Sequence, residues 1–265
     1  MLRKIILYTI YLFLISLAGA YFYFAFLIKK QNENKTTCKK ISVRILDSTQ
    51  NRFVSKSEVL NILGKFEKRP LGKAVNQVDL PSIEKLLDRR SAIKESQAYI
   101  GLDGTLKIDI TQRRPIIRIE TKSGGFYIDE TGYIFPLEYN FTSYVPIVSG
   151  YIPLEIEEKH RGFSSSGENW IDKIIELGIF IDNNNFWNNQ IEQIYIDQNG
   201  DVCLSPRRGP ELILFGDLNN IEDKFSRLYA YYKDIMPTTE NEKYKMINLK
   251  YKNQIICKKH TTNKI

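Results

Sequence analysis

Apolar positions fall along this chain in three regimes: one unbroken run, then short alternations mixed with helical spacing, then a long series of strand-like segments. No charged residue lies between Ile5 and Ile28. As a helix, residues 5–28 extend about 36 Å at ~1.5 Å per residue, enough to cross a hydrocarbon layer of roughly 30 Å with some tilt. Arg3 and Lys4 precede the run, Lys29 and Lys30 follow it, and Tyr8, Tyr11, Tyr21 and Tyr23 suit its interfaces. A cleaved signal has a shorter apolar region, about 7–15 residues, ending at small residues. Ala18-Gly19-Ala20 offers such a site, but the apolar run continues to Ile28, so an uncleaved anchor is expected. Its orientation stays open on charge alone. Lys29, Lys30, Lys35, Lys39 and Lys40 outnumber Arg3 and Lys4, yet a short basic tail before an apolar stretch also resembles an export signal.

Residues 31–40 are polar and aperiodic and read as a linker. Ile41, Val43 and Ile45 then alternate with Ser42, Arg44 and Leu46, the mark of a half-buried strand. Ser55 and Glu58 form a capping box ahead of Val59, Leu60, Ile62 and Leu63, and Gly64 is placed to stop that helix. Asp79 caps a second helix with Pro81 in its first turn and Ile83, Leu86 and Leu87 on its apolar face. Residues 93–102 and 105–113 read as a hairpin turned by Asp103-Gly104. The order strand, helix, helix, strand, strand makes a small α+β unit with a three-stranded sheet.

From Pro115 onward the pattern is short strands broken by turn residues, with two helices. Ser164 to Ile181 has helical spacing through Trp170, Ile171, Ile174, Ile175 and Leu177. Asn199-Gly200 joins strands around Ile194 and Val202, and residues 211–215 add another strand. Ile221, Phe225, Leu228, Tyr232 and Ile235 give a second helix, ended by Pro237. Residues 246–251 and 254–257 make a last strand pair. The whole is α+β: a tail (1–4), a transmembrane helix (5–28), a linker (29–40), the small βααββ domain (41–114), a mostly antiparallel β domain with helices (115–258) and a C-terminal tail (259–265).

Composition narrows the chemistry. Hydrophobic residues at 43% and charged residues at 26% describe globular material. Three Cys exclude a disulfide-dense scaffold, two His make a multi-His metal site improbable, and a net charge of +7 permits acidic partners without requiring them. His160 sits in Glu157-Glu158-Lys159-His160-Arg161 and reads as solvated; His260 lies in a charged tail. Asp129, followed by Glu130-Thr131-Gly132, reads as a turn residue bonding its own backbone rather than a catalytic carboxylate. No phosphate-binding glycine motif and no paired nucleophile and base occur, so neither an enzyme nor a cofactor, metal, nucleic-acid or small-molecule binder is expected. Cys38, Cys203 and Cys257 are odd in number, leaving at least one unpaired; a Cys203–Cys257 bridge remains open.

Six segments in order resemble the bacterial cell-division family FtsQ/DivIB. They are the strand Ile41–Leu46 with Val54-Ser55-Lys56-Ser57-Glu58 and Val78 to Glu84; Thr105 to Pro115, ending in Arg113-Arg114-Pro115; Tyr127 to Phe135, with Asp129-Glu130-Thr131-Gly132 inside it; Pro146-Ile147-Val148-Ser149-Gly150; Leu214-Phe215-Gly216 with Lys224; and Ile247-Asn248-Leu249-Lys250-Tyr251. The resemblance implies that residues 41–114 are a POTRA domain. It also implies a single-pass inner-membrane protein at the division septum, with its C-terminal domains in the periplasm or extracytoplasmic space. Long domains translocate largely regardless of charge, so the basic residues after the anchor are compatible with that orientation.

The function so implied is a non-catalytic divisome scaffold that binds FtsB- and FtsL-like proteins and other divisome components and helps control septal peptidoglycan synthesis. A POTRA-containing export or outer-membrane assembly factor is the alternative. An open sheet edge is the physical means, because a partner strand can pair with its free N–H and C=O groups. The resemblance points to the last strand and its approach: Lys250, Tyr251, Lys252, Asn253, Gln254, Ile255, Ile256, Cys257 and Lys258. Tyr251 and Ile255 read equally as interface or as core. A second docking surface on the POTRA unit is expected on the strand 41–46 or on its second helix. Asp217, where some members carry a basic residue, and Lys258-Lys259, where some carry an aromatic, imply partner contacts rewritten in this chain.

Overall fold

The computed structural model of the chain describes residues 2–35, 37–209, 211–238 and 244–259; of the expected tail Lys259 is described and belongs to a strand, and His260 and residues 261–265 lie outside, as do residues 239–243. The apolar run is a helix, α1 (Leu2–Lys35). Among the described helices it is the one long and apolar enough to cross a membrane, and none of Tyr8–Ile28 is buried within the protein. Leu12, Ile15 and Phe22 stand bare, as suits a helix whose backbone groups are satisfied internally while its side chains face lipid. The helix does not end with the apolar run. Lys, Gln and Glu are good helix formers and carry it to Lys35, into the expected linker. Cys38, also in that expected linker, is held in place: it donates its N–H to Lys73 O and accepts from Gly72 N, both at 2.8 Å.

The chain divides into two compact units, residues up to 48 with 54–112, and residues 49–53 with 113 onward. In the first, β1 (Lys40–Ile45) pairs parallel with β3 (Thr105–Gln112), and β2 (Ile93–Ile100) pairs antiparallel with the other side of β3. Two helices complete the unit: α2 (Lys56–Lys65) and α3 (Leu80–Leu87). Their buried residues Val59, Leu63, Ile83 and Leu87 share the interior with Val43, Leu106, Ile108 and Ile110. Both expected caps form. The Ser55 hydroxyl accepts from Glu58 N at 3.1 Å, and Asp79 Oδ1 accepts from Ser82 N at 3.1 Å. The Glu58 carboxylate, however, pairs with Arg90 at 2.7 Å. Gly64 sits inside the last turn of α2 instead of ending it, and Phe66 closes the helix by donating its N–H to Leu63 O.

The second unit is built on a nine-stranded sheet. Its strands are β4 (Pro115–Thr121), β5 (Gly124–Asp129), β6 (Ile134–Pro136), β7 (Ile147–Gly150), β8 (Ile191–Ile196), β9 (Val202–Pro206), β10 (Leu212–Gly216), β11 (Tyr244–Asn248) and β12 (Ile256–Lys259). The order across the sheet is β12-β11-β10-β9-β8-β7-β4-β5-β6. Neighbours are antiparallel except at β4/β7, β7/β8 and β10/β11, where the chain crosses over through intervening segments. The helices are α4 (Glu168–Asp182), α5 (Asn185–Gln190) and α6 (Ile221–Ala230), the last continued by a wider turn through Tyr231–Ile235. Ile174, Leu177 and Phe225 from the helices meet Ile117, Ile194, Leu204, Ile213 and Ile247 from the sheet in one core. Gly178 lets α4 lie close on β4: a Cβ there would come within 2.6 Å of Ile116 Cγ2. The helix expected from Ser164 starts at Glu168, because Ser164 and Ser166 bond to each other instead, with Ser166 N donating to Ser164 Oγ at 3.2 Å. α5 escapes sequence pattern altogether; Asn184 begins it by accepting from the N–H groups of Phe186 and Trp187.

Candidate partner-binding edge

The edge is assembled from β10 outward. α6 follows β10 and returns the chain to β11, which lies parallel to β10 with Ile213 opposite Ile247. Lys224 fixes the start of this crossover. It is 4% exposed, its Nζ lies 4.9 Å from the Phe215 ring centroid, and it donates to Asp217 O at 2.7 Å and Asp217 Oδ1 at 2.6 Å. Asp217 thus serves as an internal anchor for a buried ammonium. Burial pulls its pKa upward, but hydrogen bonds from Lys224 and Asn219 outweigh that and leave it below the ordinary carboxylate value.

After β11 the chain turns in a loop held from beneath by Arg227 of α6. The guanidinium donates to Tyr251 O at 2.8 Å, Gln254 O at 2.6 Å and Leu249 O at 3.2 Å, and pairs with Asp223 at 3.0 Å. Asn248 Oδ1 accepts from Lys250 N at 2.9 Å, which ends β11 earlier than the expected residue 251. Asn253 takes a left-handed conformation with φ 58, a conformation that Asn tolerates. β12 then runs antiparallel to β11, with Cys257 opposite Ile247 and Ile256 opposite Asn248.

These constraints redistribute the nine residues singled out from sequence. Lys250, Tyr251, Lys252, Asn253, Gln254 and Ile255 lie in the loop, and β12 begins only at Ile256. A strand through 251–255 is excluded because Arg227 draws three carbonyls toward itself and Asn253 reverses the chain. Lys250 is not a free cation: its Nζ pairs with Asp201, and its stem runs over Gly216, where a Cβ would lie 2.7 Å from Lys250 Cγ. Asp201 accordingly raises the Lys250 pKa. Tyr251 is 52% exposed and is no core residue, whereas Ile255 packs partly against the core. On β12, Ile256 is 45% exposed, Lys258 and Lys259 are exposed, and Cys257 turns inward. Among the described residues no strand pairs with the outer side of β12. Arg227 was not visible as a site residue in the sequence; Asp223 and Arg227 at i, i+4 look like an ordinary surface pair.

The other flagged residues resolve separately. Asp129 Oδ1 accepts from Thr131 N at 2.9 Å and Tyr133 N at 3.1 Å, the turn role read from the sequence. Its Oδ2 also pairs with Arg113 at 2.8 Å, and Arg113 lies 3.4 Å from the Tyr133 ring centroid. His160 is half-buried rather than solvated, and its Nε2 has no hydrogen-bond partner among the described residues. All three cysteines are free thiols. Cys203 and Cys257 lie on strands three apart in the sheet, roughly 14 Å at ~4.8 Å per spacing, too far for a bridge.

A family model described as FtsQ/DivIB, C-terminal related, matches residues 114–258, more than half of the 265-residue chain. A POTRA-like domain model matches residues 36–111. No curated protein matches the chain.

Proposed function

The chain belongs to the FtsQ/DivIB family, and from that premise we propose that it is a cell-division scaffold that lends β12 as an open edge to FtsB- and FtsL-like partners and so helps control septal peptidoglycan synthesis. The observation that carries the reading is the position of β12 at the end of the sheet order. A partner strand laid against it gains main-chain hydrogen bonds, while alternate side chains set specificity. Ile256, exposed on that strand, and Tyr251, exposed beside it, offer the apolar area. Lys252, Lys258 and Lys259 favour an acidic approach, and they also guard the edge against self-pairing. The scaffold acts without catalysis, one helix across the inner membrane and both folded units on its extracytoplasmic side at the septum.

A proline scan of Ile256, Cys257 and Lys258 in the full chain, co-expressed with the FtsB- and FtsL-like proteins of the same cell, tests this. Alternate residues of an edge strand point their N–H groups outward, so capture should fall in an alternating pattern while the core stays protected from hydrogen exchange. Undiminished capture by all three variants would remove β12 from the interface.

A further inference from the structure

A second surface lies on the helical side of the second unit. Phe180, Phe186, Trp187, Phe225 and Tyr229 line an open groove of about 480 Å³, with Glu222 as its charged member. Phe180 and Phe225 stack at 4.7 Å, Trp187 and Phe225 lie 4.8 Å apart, and Phe186 meets Trp187 edge-on at 4.7 Å and Tyr229 at 5.5 Å. Trp187 and Phe225 are buried and form a fixed floor, but Phe186 and Tyr229 are 42% and 48% exposed. Single exposed aromatics are ordinary. Two half-bare rings in contact with each other, above a packed aromatic floor, make a preformed concave site. Asn184 holds the α5 side of it by accepting from Phe186 N and Trp187 N.

Charge identifies the occupant. Glu222, Ser226 and Tyr229 follow one another along one face of α6. The neighbours of Glu222 are neutralised, Asp223 by Arg227 and Lys224 by Asp217, whereas the exposed Glu222 carboxylate has no ion-pair partner among the described residues. In a chain of net charge +7, this groove carries an unpaired negative charge beside the faces of several rings. Aromatic faces and a carboxylate together attract a cation on an apolar stem.

We infer that this groove docks a protein segment presenting an aliphatic side chain next to lysine or arginine, separately from β12. The test uses the full chain in phosphatidylcholine nanodiscs and two fluorescein-labelled capped peptides of alternating sequence, leucine with lysine and leucine with glutamate, with empty nanodiscs as the blank. The basic peptide should bind saturably, and Glu222→Lys or Tyr229→Ala should weaken it at least fivefold. Glu222→Lys should in turn bind the acidic peptide better than the native chain does, a gain that a misfolded variant cannot show. Equal affinity for both peptides, or no effect of Glu222→Lys, overturns the proposal. So does sedimentation showing a dimer that Glu222→Lys dissociates, which would give the groove to a second copy. None of these outcomes depends on the β12 reading.

Discussion

Lys224 is a charged side chain kept almost wholly out of water, and it donates to the carbonyl and carboxylate oxygens of Asp217. A buried ammonium deprived of its counter-charge costs more than the pair itself is worth. Asp217 is 64% exposed at its side chain, so solvent screens its share. Asp217→Asn should therefore destabilise α6 by only about 1 kcal/mol at neutral pH. Lys224→Met, which removes the buried charge itself, should cost less. The pH dependence has a definite sign. The folded carboxyl has a pKa below 3.8, so its stabilisation is present above that value and is lost as pH falls through the folded pKa. Amide exchange in α6, compared between the native chain and Asp217→Asn, should thus converge in acid. A constant difference down to the lowest accessible pH would assign the effect to packing. At the same scale, burial pushes the Cys203 and Cys257 thiols above their ordinary values, in keeping with their inert, unbridged state.

The β11–β12 loop shows how an element depends on a residue outside it. Arg227→Met keeps an apolar stem but withdraws the donors from Leu249 O, Tyr251 O and Gln254 O. Water replaces part of what is lost, leaving a local cost of about 1–2 kcal/mol. Exchange of amides across 249–256 should accelerate about tenfold, and partner capture should weaken although no β12 side chain has changed, because the edge is no longer preorganised. Unaltered exchange across the loop would show that Arg227 does not hold it. Most strands and both long soluble helices were legible in the sequence because alternation, caps and Asn-Gly or Asp-Gly turns are local signals. The extent of the last strand was not. Ile255-Ile256-Cys257 reads as a strand core, but where the strand begins is set by α6, more than twenty residues earlier. α5 was hidden for a related reason: in Asn183-Asn184-Asn185 the capping Asn is indistinguishable from loop residues.

At the scale of the molecule, the chain carries one lipid-suited helix, a POTRA-like domain and the sheet of the FtsQ/DivIB family. Leu102 and Tyr139 are fully exposed reporters, one in each unit. Leu102→Cys and Tyr139→Cys, each in a background lacking the native cysteines, should react with a membrane-impermeant maleimide in intact spheroplasts. Labelling only after lysis would place both units in the cytoplasm and contradict the proposed orientation. The order of assembly has its own consequence. Among the described residues β12 is the last strand along the chain, and β11, its neighbour in the sheet, needs α6 to bring it alongside β10. On the proposed reading, a chain exported from its N-terminal side offers that dock only after β10, α6 and β11 have emerged and settled. Recruitment at that rim, if β12 is the docking edge as proposed, selects chains whose sheet is assembled and passes over those stalled or cut before β12.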